Sequence, residues 1–340
     1  MMTNEVADPA VVLDLMEAFR RSKTMFAAVS LGVFDSLADK PKAVETLAAE
    51  LNANADALGR LLDACVGLGL LQREGMQYAN AAAAAAYLCR NSPNRLTGYL
   101  VYSNDILWKL WGNLEGAVRE GGHQWKQTFG WDGPIFANFF HNEDAKREFL
   151  LGMHGYGLIS SPLVAAAFDL SRFRRIVDLG GATGHLAVAA CQRYPSLQAV
   201  VFDLPAAAPL AREMIAATSV AGRVSVQAGD FFTDALPQAD LYAVGRILHD
   251  WTEEKILTLL GKVHAALPAG GALLIAEKML DEGKATPMWA LMQSLNMLVC
   301  TEGKERTLAE YKVLLNKVGF AEVEGRRTSS PLDAILAVKR

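Results

Sequence analysis

The chain has 340 residues, enough for two domains with sizeable cores, and its 51% hydrophobic and 21% charged residues are typical of a globular enzyme. Its formal net charge of −4 gives no basic field that would attract nucleic acid or an anionic membrane surface. The N-terminus has no signal-peptide core and no run of about 18 apolar residues predicts a membrane span. Four scattered cysteines favour a reducing cytoplasm over a disulfide or zinc scaffold.

Residues 1–100 predict a mainly helical domain. From Lys42 onward the pattern is a helix, a polar turn, a second helix with Asp56 as its N-cap, and a hairpin around Glu74. This is the pattern of a winged helix, so a DNA-binding regulator is one interpretation. Residues 35–78, however, carry seven acidic and four basic side chains, which make a poor surface for phosphates. We therefore expect a dimerisation or lid role.

Residues 101–170 are rich in aromatic residues, glycine and methionine, and predict a helical connector. Aromatic stripes most often pack in a core. Aromatic and methionine side chains also line pockets for flat apolar ligands. We expect such a pocket between the two halves of the chain.

Residues 171–340 alternate between short apolar runs and helical patterns, which predicts a doubly wound parallel sheet. The predicted strands lie in "RRIVDLGG", "LQAVVFDLP", "RVSVQAGDFF", "DLYAVGRIL" and "ALLIAEKML". Ligands of such sheets bind beyond the carboxyl ends of the strands. The residues that follow each strand are therefore the candidates for a site.

The first strand runs into a glycine turn, and the next two end in acidic residues. Their candidate ligand contacts are Asp178, Gly180, Gly181, Gly184, Asp203, Leu204, Asp230 and Phe231. The turn lacks the GxGxxG spacing of dinucleotide sites, which disfavours hydride transfer with NAD. Asp203 is placed to bind ribose hydroxyls, with a helix cap or a solvated loop charge as the alternatives, and Asp230 to accept from an adenine amino group or to form a turn.

The fourth strand ends in "RILHDW". His249, with an ordinary pKa of about 6.5, is suited to accept a proton near neutral pH. Asp250 is expected to cap the next helix and Trp251 to pack on the adenine side. Arg246 fits either a cofactor contact or a buried ion pair.

These motifs, with "EGKERTLAEY", resemble in order and spacing the small-molecule O-methyltransferases of the caffeic-acid and acetylserotonin type, which use S-adenosylmethionine (SAM). The similarity is greatest to acetylserotonin O-methyltransferase-like members. It implies a Rossmann-like class I methyltransferase domain after a winged-helix-like dimerisation domain, and a homodimer. It also implies methylation of a hydroxyl on a small aromatic or heteroaromatic metabolite, and we expect a pigment or antibiotic pathway. Ala182 departs from the glycine that many members have there, and we expect its methyl group to be tolerated.

The resemblance also implies roles for individual residues. His249 would be the general base, with Glu277 and Glu305 holding its ring; the alternatives are a strand-end charge for Glu277 and a helix first-turn carboxylate for Glu305. Arg246 and Trp251 join the cofactor contacts above. The acceptor would contact Trp125, Phe129, Phe149, Met153, His154, Met292, Asn296 and Met297.

Two further expectations complete the interpretation. No His, Asp and Glu set has the close sequence spacing of a metal site, so we expect no metal. A catalytically silent SAM-binding regulatory protein is the alternative to an enzyme, and the joint presence of His249, Glu277 and Glu305 speaks against it.

Overall fold

A computed structural model describes residues 7–133 and 142–340 of the chain. The chain divides into two compact units, Met1–Ile106 and Leu107–Arg340. The finer division into 1–100, 101–170 and 171–340 stays a prediction, and residues 134–141 of its middle part lie outside the described residues.

The first unit is mainly helical and carries a small antiparallel sheet. Its helices are α1 (Ala10–Leu31), α2 (Val33–Ser36), α3 (Val44–Glu50), α4 (Ala55–Gly67), α5 (Ala82–Tyr87) and α6 (Thr97–Tyr102). Its strands are β1 (Lys42–Ala43), β2 (Leu71–Glu74) and β3 (Gln77–Asn80), paired in the order β1-β3-β2. The predicted succession of two helices and a hairpin is thus confirmed.

The N-cap of α4 differs from the prediction. Asn54 caps the helix, its side-chain oxygen accepting from the Ala57 N–H at 3.0 Å. Asp56 lies inside the first turn and pairs with exposed Arg60 at 2.6 Å. Two polar residues so close together both satisfy the sequence rule, and only the backbone conformation at Asn54, extended before the helix begins, decides between them.

Helix α1 has an apolar face that its own unit leaves exposed. The large hydrophobic residues with half or more of their surface exposed are Val11, Val12, Leu13, Leu15, Met16 and Phe19. Farther along the helix, Ala28 and Val29 are buried in the core around Phe34 and Leu62. The first half of α1 therefore presents a surface typical of protein association.

The second unit contains a mixed sheet between helices. Within the described residues its strands are β4 (Arg175–Leu179), β5 (Gln198–Asp203), β6 (Val224–Ala228), β7 (Leu241–Gly245), β8 (Ala272–Glu277), β9 (Phe320–Arg326) and β10 (Asp333–Lys339). They pair in the order β6-β5-β4-β7-β8-β10-β9, with β10 antiparallel to both of its neighbours. The five strands expected from the sequence are confirmed as the parallel part, and β9 and β10 extend it at one edge.

The helices of this unit supply the outer layers and the connections. They are α7 (Trp108–Trp111), α8 (Leu114–Glu120), α9 (Trp125–Phe129), α10 (Glu143–Ala167), α11 (His185–Arg193), α12 (Ala208–Ala216), α13 (Glu253–Ala266), α14 (Met288–Cys300) and α15 (Leu308–Lys317). One core cluster includes Leu186 of α11 and Ile176, and another includes Leu259 of α13, Leu315 of α15 and Val177. Because Ile176 and Val177 are consecutive in β4, the two clusters lie on opposite faces of the sheet.

Helix α10 is long and apolar enough to span a membrane by length and composition, and it is the one such helix in the described part of the chain. Half of its most apolar window is buried inside the protein. A Cβ atom on Gly157 of this helix would lie 2.1 Å from the His185 ring, so α10 and α11 pack closely at this glycine. These contacts are those of a core helix.

Replacing Asn54 tests the corrected cap. We expect Asn54→Ala to lower the free energy of unfolding by about 1 kcal/mol, because an orphan N–H of α4 loses its acceptor. Asp56→Ala, the matched control, removes only an exposed ion pair and should cost clearly less. Urea unfolding followed by far-UV circular dichroism measures both, and an equal or larger loss for Asp56→Ala would contradict the assignment.

Candidate active site

The turn after β4 brings backbone and side chains too close for any residue larger than glycine at two positions. Gly180 has φ +68°, and a Cβ there would lie 2.4 Å from the Ile247 side chain. A Cβ on Gly181 would lie 2.7 Å from the carboxylate of Asp178. The turn is therefore a backbone cradle at the carboxyl end of the sheet.

Ala182, the departure from the family pattern, lies in this turn with φ +50°. The left-handed conformation costs a non-glycine residue about 1–2 kcal/mol. The Ala182 N–H donates to Asp203 Oδ2 at 2.7 Å. A hydrogen bond to a charged group contributes about 1.5–3 kcal/mol, which offsets the strain.

Asp203 thereby ties the glycine turn to the end of β5. Its other oxygen accepts from the Leu204 N–H at 2.7 Å, whereas the N-cap position of α12 is Ala207. The helix-cap alternative for Asp203 is therefore wrong. Burial raises the pKa of Asp203 despite these two bonds.

Asp230, past the end of β6, forms a turn. Its Oδ1 accepts from the Phe232 N–H at 2.8 Å. Phe231 packs edge-on against Phe232, and Phe232 packs edge-on against Trp251. The turn alternative is thus realised, and contact of this aromatic group with adenine stays a prediction.

Two charged side chains beside the cradle, buried Asp178 and half-buried Arg246, each keep an unsatisfied buried polar atom. Asp178 is 1% exposed, and its Oδ2 has no hydrogen-bond partner among the described residues. Arg246 stacks over the Tyr156 ring at 4.8 Å, its Nη2 is buried without a partner in residues 7–133 and 142–340, and those residues offer it no carboxylate within 4.0 Å. The ion-pair alternative for Arg246 is therefore not realised. A carboxylate in β4 and a guanidinium just past the end of the adjacent strand β7 fit the ammonium and carboxylate groups of a methionine moiety, so the cradle fits SAM.

His249 lies in a 3-10 turn, Leu248–Asp250, directly after β7 and is 4% exposed. Its Nδ1 is 2.6 Å from Glu305 Oε1. Its Nε2 lies 3.7 Å from Asp250 Oδ1. Because an ionised carboxylate only accepts, Glu305 assigns the ring proton to Nδ1.

Electrostatics in this buried cluster favours a charged histidine. Burial alone lowers the pKa of His249, but the carboxylates of Glu305, Asp250 and Glu277 outweigh it and raise the pKa to about 9. Burial raises the pKa of Asp250 to about 7, although His249 opposes the shift. A proton taken up by His249 is thus strongly stabilised.

The hydrogen bonds correct two predicted roles. Glu277 is completely buried, and its Oε1 accepts the backbone N–H of Ile247, Leu248 and His249 at 3.1, 2.6 and 3.2 Å. It therefore holds the backbone of the turn rather than the histidine ring. The helix after the turn is capped by Thr252, whose hydroxyl accepts from the Lys255 N–H at 3.4 Å, so Asp250 is not the cap.

The helix after Glu305 is capped elsewhere as well. Thr307 and Glu310 form a capping box at the start of α15. Glu305 precedes this cap, is 2% exposed and bonds to His249, so the alternative of a first-turn carboxylate is wrong.

Three ligand-type atoms, one each from His249, Glu277 and Glu305, lie within 4.8 Å of one another. Sequence spacing gave no sign of this group because its members come from three separate segments. Both oxygens of Glu277 already accept hydrogen bonds, and Glu305 Oε1 bonds to the histidine. A metal at this point would have to displace the donors that these oxygens already accept from.

The predicted acceptor residues differ in how far they are buried. Trp125 and Met297 are buried, Asn296 is 8% exposed, and Phe129, Phe149, Met153 and His154 are half-buried, whereas Met292 is exposed. The Trp111 indole N–H donates to Asn296 Oδ1 at 2.9 Å, and that of Trp125 donates to the Cys300 carbonyl at 2.8 Å. Trp125 therefore supports α14 from the core, and acceptor contact by this set stays a prediction.

Sequence reasoning missed several residues that build the site. Thr183 of the glycine turn lies 2.8 Å from His154 Nδ1 and is 1% exposed. Tyr311 and Arg306 are buried beside Glu277 and the histidine turn. The sequence shows an arginine and a tyrosine in a polar segment. It does not show that they are buried or which groups they contact.

Comparison with known families and proteins finds O-methyltransferases that are similar to this chain. The profile of the O-methyltransferase domain matches residues 111–321, and that of the O-methyltransferase dimerisation domain matches residues 13–90. Acetylserotonin O-methyltransferase of Bos taurus is 40% identical over the full length of both chains. The chain is also 41% identical to a "Probable bifunctional dTTP/UTP pyrophosphatase/methyltransferase protein" of Homo sapiens, over 97% of this chain but only 54% of that protein.

A solved methyltransferase structure is also similar to this chain. The crystal structure of human N-acetylserotonin methyltransferase in complex with SAM superposes with a TM-score of 0.93 at 37% identity, and covers 100% of this chain and 99% of that one. The predicted fold class, a class I methyltransferase domain after a helical dimerisation domain, is confirmed.

The unsatisfied carboxyl group of Asp178 predicts a pH-dependent affinity for SAM. Burial, opposed by a backbone hydrogen bond and reinforced by Asp203, raises the pKa of Asp178 to about 7. Below that pH the group is mostly neutral and loses its attraction for an ammonium group. Affinity measured by calorimetry should therefore rise with pH, by up to about tenfold per unit, and level off above about pH 7.

Substitutions of Asp178 and Asp230 test whether the Asp178 carboxyl group causes this pH dependence. Asp178→Asn should bind SAM more weakly and lose the pH dependence near 7. Asp230→Asn should keep that dependence. A wild-type affinity that stays constant from about pH 5.5 to 8.5 would show that Asp178 does not face the cofactor.

Proposed function

Because the chain belongs to the SAM-dependent O-methyltransferases that carry a dimerisation domain, we propose that it methylates a hydroxyl of a small aromatic or heteroaromatic metabolite, with His249 as the general base. The observation that carries the base assignment is the buried 2.6 Å contact of His249 Nδ1 with Glu305. His249 lies after β7, which is adjacent to β4. The turn that follows β4 forms the cofactor cradle.

The residues divide the chemistry between them. SAM supplies an electrophilic methyl group on sulfur. Glu305 keeps the Nδ1 proton of His249 in place, which leaves Nε2 to accept the proton of the acceptor hydroxyl. The nearby carboxylates of Glu305, Asp250 and Glu277 then stabilise the imidazolium. Alignment of donor and acceptor supplies the remaining rate enhancement.

The acceptor is proposed from the residue types and from the relatives. Aromatic and methionine side chains suit a flat, uncharged ring system. The acetylserotonin O-methyltransferases are named for a hydroxyindole, so hydroxyindoles are the first acceptors to test. Biosynthesis of a pigment or antibiotic is the proposed setting, and phenols, hydroxypyrroles and polyketide hydroxyls therefore belong in the same panel.

The protein is proposed to act as a homodimer in the cytoplasm. The exposed apolar first half of α1 and the match to a dimerisation domain support self-association. All four cysteines are free buried thiols, which suits a reducing compartment. Light scattering of the purified protein tests the dimer, and a monomer at micromolar concentration would contradict it.

Methyl transfer from labelled SAM to a panel of hydroxy-aromatic compounds tests the reaction. Replacing His249 by Ala should lower kcat by about 10²–10⁴ on the true acceptor while SAM affinity changes little. An unchanged rate in His249→Ala would overturn the general-base assignment. Tight SAM binding without transfer to any acceptor would favour the silent SAM-binding regulator.

The raised pKa of His249 predicts an alkaline limb in the rate profile. In the ligand-free protein the ring is protonated below its pKa of about 9 and cannot accept a proton. The value of kcat/KM should therefore rise with pH, by about tenfold per unit, and level off near pH 9. Glu305→Gln removes a carboxylate that raises this pKa, so its limb should move to lower pH. An unmoved limb in Glu305→Gln would contradict the electrostatic assignment.

A further inference from the structure

The turn that carries His249 has a backbone shape that binds anions. Arg246 is left-handed, with φ +56°, and Ile247 follows with φ −117° and ψ −50°. A left-handed residue next to a right-handed one points successive N–H groups toward a common centre, which makes an anion-binding concavity. Since φ above zero costs a non-glycine residue about 1–2 kcal/mol, the shape needs a compensating contact.

Glu277 supplies the anion from inside the protein. One carboxylate oxygen accepts three consecutive backbone N–H groups, those of Ile247, Leu248 and His249. This geometry attaches the turn after β7 to the end of β8. It also explains why an acidic residue is completely buried at a strand end.

Tyr311 satisfies the other oxygen of Glu277. Its hydroxyl donates to Glu277 Oε2, and the tyrosine has no exposed surface. Burial, with the charges of Glu277 and Glu305, raises the pKa of Tyr311 well above its ordinary value, so the phenol stays protonated and remains a donor. Helix α15 thereby fixes the orientation of the carboxylate that holds the turn.

Arg306 holds the carbonyl side of the same turn. Its Nη1 donates to the Leu248 carbonyl at 3.3 Å and to the Lys304 carbonyl at 3.0 Å, and the residue is 2% exposed. The segment before it lies directly against the turn, because a Cβ on Gly303 would be 2.2 Å from the His249 carbonyl oxygen. The Glu302 N–H also donates to the Asp250 carbonyl at 3.0 Å.

We propose that Tyr311 and Arg306 are positioning residues that, through Glu277 and the Leu248 carbonyl, fix the backbone turn from which His249 reaches the acceptor. Glu305 orients the ring, and these two residues place the backbone that bears it. Displacement of a catalytic group by about 1 Å costs about a hundredfold in rate, so loss of either support should reduce turnover. The proposal rests on the function proposed for His249.

Tyr311→Phe is the first test, because it deletes one hydroxyl at constant ring volume. We expect kcat to fall about tenfold or more, with KM for the acceptor and the affinity for SAM within about twofold of the wild type. The matched control is Tyr242→Phe. Tyr242 belongs to the same core cluster, is equally buried, and donates to the Pro237 carbonyl at 2.5 Å, remote in the hydrogen-bond network from the turn. A kcat for Tyr311→Phe that matches that of Tyr242→Phe would overturn the proposal.

A double-mutant cycle asks whether Tyr311 acts through Glu277. Glu277→Gln keeps an oxygen that accepts the three backbone N–H groups but removes the charge. If the pathway is as proposed, Tyr311→Phe should lower kcat by less than about twofold in the Glu277→Gln background. Fully multiplicative effects of the two substitutions would show that Tyr311 acts independently of Glu277, against the proposal.

Amide hydrogen exchange provides a measurement that needs neither activity nor an acceptor. The N–H groups of Ile247, Leu248 and His249 should exchange about tenfold faster in Tyr311→Phe than in Tyr242→Phe. Unchanged protection would contradict the positioning role even if His249 is the base, whereas lost protection in a protein without methyl transfer would contradict only the proposed function.

Arg306→Lys is the second variant, for use should Tyr311→Phe not fold. It loses the guanidinium fork and should show the same fall in kcat and in protection. Normal values for both would overturn the proposal.

Discussion

The carboxylate of Glu277 is the contact on which the arrangement of the site depends. It is completely buried, and its two oxygens accept three backbone N–H groups and one phenol. A buried charge costs much free energy unless its hydrogen-bonding capacity is used in this way. The contact joins the ends of β7 and β8 and places His249 relative to both. Arg246, at the start of the same turn, is left-handed and places its guanidinium over the Tyr156 ring.

The site therefore combines two kinds of charged side chain. Glu277 is saturated with donors and serves the backbone, whereas Asp178 and Arg246 each keep an unsatisfied atom within the described part of the chain. Saturated groups stabilise the fold, and unsatisfied ones cost free energy that a ligand returns on binding. Near the histidine turn, Glu305 Oε2 and Arg306 Nε also lack a hydrogen-bond partner among the described residues, so saturation is a property of Glu277 and not of the whole turn.

Two opposing influences act on the protonation of His249. Burial favours its neutral form, and three carboxylates favour its charged form and prevail. In its proposed role as base, His249 would stabilise the proton it accepts, at the cost of remaining protonated near neutral pH before the substrates bind.

The sequence by itself determined the order of strands and helices, the glycine turn, and the polar residue after each parallel strand, because periodicity and strand-end position are local properties. Which polar atoms meet was decided only in three dimensions. Asn54 and Asp56 satisfy the same cap rule, and Glu277 and Glu305 looked alike as partners of His249. Tyr311 and Arg306 carried no recognisable role at all. A hydrogen bond needs a donor–acceptor distance of about 2.7–3.2 Å between segments far apart in the chain, and such distances are defined only once the sheet has formed.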